Sequence, residues 1–207
     1  MGIELNRFPE DKVVDYAAFR PKIRNGDVLL CSGKAVFSKL IQRATGSIWS
    51  HVGFVMRMDS IDRVMVLESV ESIGVRTVPL STYLRDYDSE GHPYKGRMVL
   101  LRHKNFAAKV SVATLKKMSQ FAVDLFGYPY DKDEIIKIAA RIAASKLPFT
   151  SRERKNLERD REFICSEYAW ECYQAMGITV PTNPAGFIAP ADFAMDPNMD
   201  LVCVLQA

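Results

Sequence analysis

The chain has 207 residues, 48% of them hydrophobic and 26% charged, enough for a single globular domain with a sizeable core. A net charge of +3, with no Lys/Arg block interleaved with aromatics, gives no footing for a nucleic-acid partner. No apolar run is long enough to span a bilayer, and Met1 to Arg24 is too studded with charge for a signal peptide, so a cytoplasmic protein is expected.

Residues Pro9 to Phe19 have helical spacing, with Val13, Val14, Ala17 and Ala18 on one face and Pro21 as the stop. Asn25-Gly26 is a turn signal, and Asp27 to Cys31 follows as a short buried strand. Ala35 to Ala44 reads as a helix through Val36, Leu40 and Ile41. Ser50 to Met56 is a strand that carries His51 near its start. Asp59 to Asp62 turns the chain into an antiparallel partner strand, Val64 to Val70. Alternation there puts Glu68 on the face of Val64 and Val66, where a carboxylate is out of place unless it is paired. Gly74 to Pro79 is another strand, Ser81 to Tyr87 a short connector, and Arg97 to His103 a strand closing a sheet of five or six, with helices on one side.

Phe106 to Phe126 reads as one helix ended by Gly127, and Gly127 to Asp131 as a tight turn. Glu134 to Leu147 is expected to be a second helix with an Ile stripe, and Thr150 with Glu153 a capping box opening a short polar helix. Arg152 to Glu162 is a charged surface segment. Cys165 then opens a helix that Gly177 can close. Pro181 to Pro197 is a proline-rich loop, and Leu201 to Leu205 a last strand.

The chemistry-bearing residues are few. Cys165 falls in the first turn of its helix, where unpaired backbone N–H groups favour negative charge, although Glu167 nearby opposes it. A cysteine nucleophile needs a base within hydrogen-bond reach and a third group orienting that base. Of three histidines, His92 lies in a Gly-His-Pro turn and His103 between Arg102 and Lys104. His51 is the best base, one hairpin away from Glu68, which can fix its tautomer. Cys31, Cys172 and Cys203 read as structural thiols, with Cys31 alone a candidate neighbour of the site. With no CxxC pair and no metal-ligand spacing, neither metal nor other cofactor is expected.

These residues carry a family resemblance. Asn25 to Leu30, Trp49 to Val55 and Val66 to Ser69 resemble the histidine half of NlpC-type papain-like cysteine peptidases. Gly127 to Asp131 and Phe163 to Glu167 resemble the cysteine half. The halves stand in reversed order, as in the circularly permuted branch that includes YiiX-like and YebB-like proteins and relatives of lecithin retinol acyltransferase. The resemblance implies an α+β fold over residues 1–207: a small antiparallel sheet or barrel, the cysteine helix packed against it, and a helical insertion at 134–162. It also implies Cys165 as nucleophile, His51 as base and acid, Glu68 as orienting group, and Tyr130 as an oxyanion donor (Tyr128 being the second choice). The implied activity is a cysteine hydrolase acting on a small-molecule, peptide, N-acyl or lipid-linked substrate. The Ile stripe of Glu134 to Leu147 reads as a face packed on the core, with a lipid-facing groove and peripheral membrane contact as the alternative. An acyltransferase and a non-catalytic module binding an amphipathic ligand are the alternatives.

Overall fold

The computed structural model describes residues 12–131, 164–183 and 186–206. Its strands are β1 (Val13–Val14), β2 (Asp27–Ser32), β3 (His51–Met58), β4 (Arg63–Val70), β5 (Gly74–Pro79), β6 (Arg97–His103) and β7 (Met199–Leu205). Its helices are α1 (Tyr16–Phe19), α2 (Val36–Thr45), α3 (Leu80–Arg85), α4 (Phe106–Lys109), α5 (Val112–Asp124), α6 (Cys165–Gln174) and α7 (Pro190–Met195). All seven strands join one sheet in the order β1-β7-β6-β2-β3-β4-β5, antiparallel except for the short parallel pair of β1 with β7. The class is α+β.

Period-two alternation supplies both faces of this sheet with apolar side chains. Val28 and Leu30 of β2 pack with Val52 and Phe54 of β3 against Tyr168, Ala169, Cys172 and Tyr173 of α6. Leu29 and Cys31, one residue out of phase, pack on the opposite face with Leu80 and Tyr83 of α3. Helices therefore cover both faces rather than one. Two polar anchors fix β2 and α6 in place. The buried Asp27 carboxylate takes a two-pronged contact from Arg102, at 2.7 and 2.8 Å, and the Arg24 N–H at 2.9 Å. Tyr173 donates its hydroxyl to the Gly26 carbonyl at 2.5 Å, tying α6 to the turn before β2.

Four expectations need correction. Val13 and Val14 are extended and pair with Val204 and Leu205, and the helix starts only at Tyr16, with Asp15 accepting the Ala18 N–H. The stretch from Phe106 to Phe126 is two helices, because Ser111 and Thr114 form a capping box that starts a new one. β6 lies inside the sheet, paired with β2 and β7, because β7 and then β1 are added beyond it on that side. The proline-rich C-terminal loop contains α7, with Pro190 in its first turn, where a missing N–H costs nothing. The expected elements at 134–162 lie outside the described residues. Among the described residues, no helix is long and apolar enough to cross a membrane.

Candidate active site

Ile164 is the N-cap of α6, with an extended backbone and no side chain able to accept a hydrogen bond. Glu167 answers for part of this, its carboxylate accepting the Ile164 N–H at 3.2 Å. Cys165 is the first helical residue and is buried. The Ser166 hydroxyl is turned away, donating to the Ile188 carbonyl at 2.9 Å.

His51 is the first residue of β3, at the end of the sheet where the start of α6 can reach it. Its ring lies within electrostatic reach of Cys165. Its Nε2 lies 2.7 Å from Glu68 Oε2, while 15% of the side chain stays exposed and Glu68 is fully buried. Gly53 lets β3 lie close to β4 beside this pair. Continuing the β3–β4 register past Phe54 and Leu67 puts Gly53 opposite Glu68, and a Cβ on it would lie 2.4 Å from Val66 and 3.5 Å from the Glu68 Cβ. Two further donors meet the same carboxylate. Arg76, the cross-strand partner of Glu68 on β5, gives its Nε–H to Oε1 at 2.9 Å. Tyr83 of α3 donates its hydroxyl to Oε2, and its oxygen lies 3.3 Å from His51 Nε2.

This arrangement fixes a tautomer. An ionised carboxylate only accepts, so His51 Nε2 must carry a proton and Nδ1 is the nitrogen left for Cys165. Burial drives the Glu68 carboxyl upward, but the His51 hydrogen bond and charge, then Arg76 and Tyr83, hold it below the ordinary carboxylate range. Burial opposes a charged His51, yet the charge on Cys165, then the hydrogen bond to Glu68 and its charge, outweigh that and push the imidazole up to about 10. An imidazolium facing a sulfur is the pairing a cysteine nucleophile uses.

Tyr130 reaches the same sulfur from a distant part of the chain. Burial first, then the charge on Cys165, raises the pKa of its hydroxyl. The route there depends on Gly74. Val75 N–H donates to the Tyr128 carbonyl at 2.8 Å and Gly127 N–H to the Val75 carbonyl at 2.9 Å, so the 127–128 segment lies along β5. Gly74 has φ of +86°, and a Cβ there would stand 2.0 Å from the Tyr128 carbonyl oxygen. Gly74→Ala should therefore cost at least about 2 kcal/mol, from the left-handed backbone and the displaced crossing chain together. A urea midpoint unchanged from wild type would contradict this. Tyr128 gives the crossing its backbone; its half-buried side chain packs against the core.

The remaining candidates fall elsewhere. Cys31 is the cross-strand partner of His51, fully buried, and its thiol is pushed well up by burial, then by Glu68 and Cys165. Cys172 is buried against the core, and burial pushes the Cys203 thiol up to about 12. His92 is exposed and bound to Asp88 at 2.9 Å. His103 is buried at the end of β6 and accepts the Asn105 N–H at 3.2 Å. Among the described residues, one group offers three ligand atoms within 4.8 Å of one another: Asp88, Glu90 and His92, all exposed and outside this centre. Sequence reasoning missed Arg76 and Tyr83. The short β4–β5 connection, which sets Val70 against Gly74, is the signal that places Arg76 opposite Glu68; Tyr83 carries no comparable signal.

Residues 22–202 match the Peptidase_C92 family model, described as permuted papain-like amidase enzymes of the YaeF/YiiX group. Among solved structures, the Escherichia coli O157:H7 protein described as metalloprotein YiiX superposes with a TM-score of 0.58 at 22% identity, covering 87% of this chain and 96% of that one. No curated protein matches the chain. With 181 consecutive positions of its 207 residues (22 to 202 inclusive) inside that model, and with the sheet and cysteine helix arranged in the permuted order, the chain belongs to the Peptidase_C92 family of permuted papain-like amidases.

Proposed function

We propose that the protein is a cysteine hydrolase that opens an amide or ester through an acyl-thioester on Cys165. The observation that carries this reading is the convergence on one sulfur of His51 and Tyr130, with Glu68 holding the far side of the His51 ring. The Cys165 thiolate attacks the substrate carbonyl carbon, and the oxygen takes up the negative charge. The Tyr130 hydroxyl and the Cys165 backbone N–H at the start of α6 stabilise that oxygen. As the intermediate collapses, the C–N or C–O bond breaks and the leaving group takes the proton from His51 Nδ1. Nδ1, now unprotonated, accepts a proton from water as the water oxygen attacks the thioester. Collapse of the second intermediate releases the carboxylic acid and restores the thiolate–imidazolium pair. Glu68 acts through His51 in both halves, keeping Nε2 protonated.

The test is to mix the protein with 4-nitrophenyl acetate, quench, and measure its mass. A single added acetyl group on the Cys165 peptide, removed by hydroxylamine and missing in Cys165→Ser treated alike, is the expected result. Nitrophenol release that continues undiminished in Cys165→Ser would overturn it.

A further inference from the structure

At the His51 end of the sheet a second cleft opens across the ends of β2, β6 and β7. Strand register fixes where it lies. His51 pairs with Cys31, and the next residue of β2, Ser32, pairs with Arg97 of β6. The cleft therefore begins one strand away from His51, and Arg97 stands two strands away, about 10 Å. Glu68 holds the His51 ring from β4, and the cleft lies on the other side of β3. Its wall is tied to the catalytic centre through Tyr94. The Tyr94 N–H donates to the Tyr83 carbonyl at 2.8 Å, and the two rings lie 5.5 Å apart, while the Tyr83 hydroxyl donates to Glu68.

The lining of this cleft carries one sign of charge. Lys34, Lys39, Lys95 and Arg97 line it, and no Asp or Glu side chain does. Lys39 Nζ donates to the Gln42 side-chain oxygen at 3.2 Å, a neutral acceptor that leaves its charge uncompensated. His92 at the rim is already balanced by Asp88, at 2.9 Å. Two glycines draw the cationic segments together. A Cβ on Gly33 would lie 2.3 Å from Ser38 Oγ, and one on Gly96 2.2 Å from the Ser32 carbonyl oxygen. A side chain at either place would prise the Lys34 and Lys95 segments off the strand ends. Like charges gathered this way repel one another, and the cleft walls focus their field on whatever enters.

That field selects an anion, and the geometry selects which one. Lys34, Lys39 and Lys95 are exposed point charges on flexible stems, so each can approach a separate oxygen. A phosphate monoester offers three such oxygens and close to two negative charges, where a carboxylate offers two oxygens and one charge. The cleft encloses about 1600 Å³ counted to its mouth, room for a phosphate together with the molecule that carries it. His51 turns Nε2 to Glu68 on β4, so a leaving group that collects the Nδ1 proton departs on the side of β2, toward the cleft. Resting on the hydrolase reading above, we propose that the cleft binds a phosphate group on the leaving part of a soluble substrate, with Lys34, Lys39 and Lys95 as its contacts.

The experiment measures kcat/KM for acetate release from the monoacetates of ethanediol, butanediol and hexanediol, each with its second hydroxyl plain or phosphorylated. The wild-type enzyme should prefer the phosphorylated ester about tenfold at the hexanediol spacer, the effect of several exposed ion pairs acting on one group. The preference should be smallest for ethanediol, which cannot cross two strand spacings. Lys34→Ala combined with Lys95→Ala should bring the ratio to within about twofold of one, in a protein whose thermal midpoint matches wild type. A wild-type ratio near one at every spacer overturns the phosphate proposal and leaves the hydrolase reading standing. A preference that survives in the double variant places the anion elsewhere and overturns it as well. Binding to phosphatidylglycerol vesicles that the double variant loses, with no selectivity among the soluble esters, assigns the cleft to a membrane surface and also overturns it. Turnover of every ester that persists in Cys165→Ser overturns the hydrolase reading, and the proposal with it.

Discussion

Glu68→Gln is expected to lower kcat by about ten-thousandfold while leaving the fold in place, the loss seen when the carboxylate of a nucleophile–His–acid triad becomes an amide. The physical reason is the count of donors. His51 Nε2, Tyr83 and Arg76 all present protons to this one buried carboxylate. A glutamine keeps one acceptor oxygen and adds an N–H₂, so at least one donor faces another donor. His51 then escapes by moving its proton to Nδ1, the nitrogen that must accept. The same change should cost about 3 kcal/mol of stability, because Arg76 loses its buried counter-charge. The sign of the pH dependence follows from the lowered Glu68 value. Stability it contributes is present above the ordinary carboxylate range and is lost as pH falls through its folded value. The gap between wild type and variant should therefore narrow in acid. A variant with wild-type kcat, or a stability gap that widens below pH 4, would contradict this assignment.

His51→Ala is the second large effect, and its loss should match that of Cys165→Ser, since residues that act as a unit do not lose activity additively. A fall of about 10⁴-fold or more in kcat/KM is expected for each single variant, and little more for the double. His51 also links the site to pH. With its value raised to about 10 in the folded protein, the stability it contributes is complete below its unfolded value of about 6.5 and is lost as pH rises through about 10. Wild type should thus lose stability relative to His51→Ala between those limits. Additive losses in the double variant would mean that the two residues do not form one catalytic unit.

Most of this centre was legible because short-range patterns carry it. The alternation of β4 put Glu68 on a face where it had to be paired, and the hairpin placed it near His51. The start of α6 followed from the entry at Ile164 and the helical run behind it. What was not legible depends on long-range closure. Tyr83 enters through the packing of α3 on the sheet, whereas Arg76 is set opposite Glu68 by the short β4–β5 turn, a local signal. Tyr130 reached the site by the family pattern alone; its route along β5 rests on a close backbone crossing at Gly74 that no periodicity announces. The two-residue β1 was invisible for a related reason, since its only partner lies at the other end of the chain.

The most direct test of the Cys165–His51 pair is the rate of Cys165 alkylation by iodoacetamide, followed by peptide mass spectrometry in wild type and His51→Ala across pH 6 to 10. An imidazolium held beside the sulfur should make the wild-type cysteine react at least about tenfold faster than the variant's at pH 7, with the two rates converging as pH passes about 10. Equal rates in the two proteins at pH 7, no faster than that of buried Cys31, would mean that His51 does not activate Cys165.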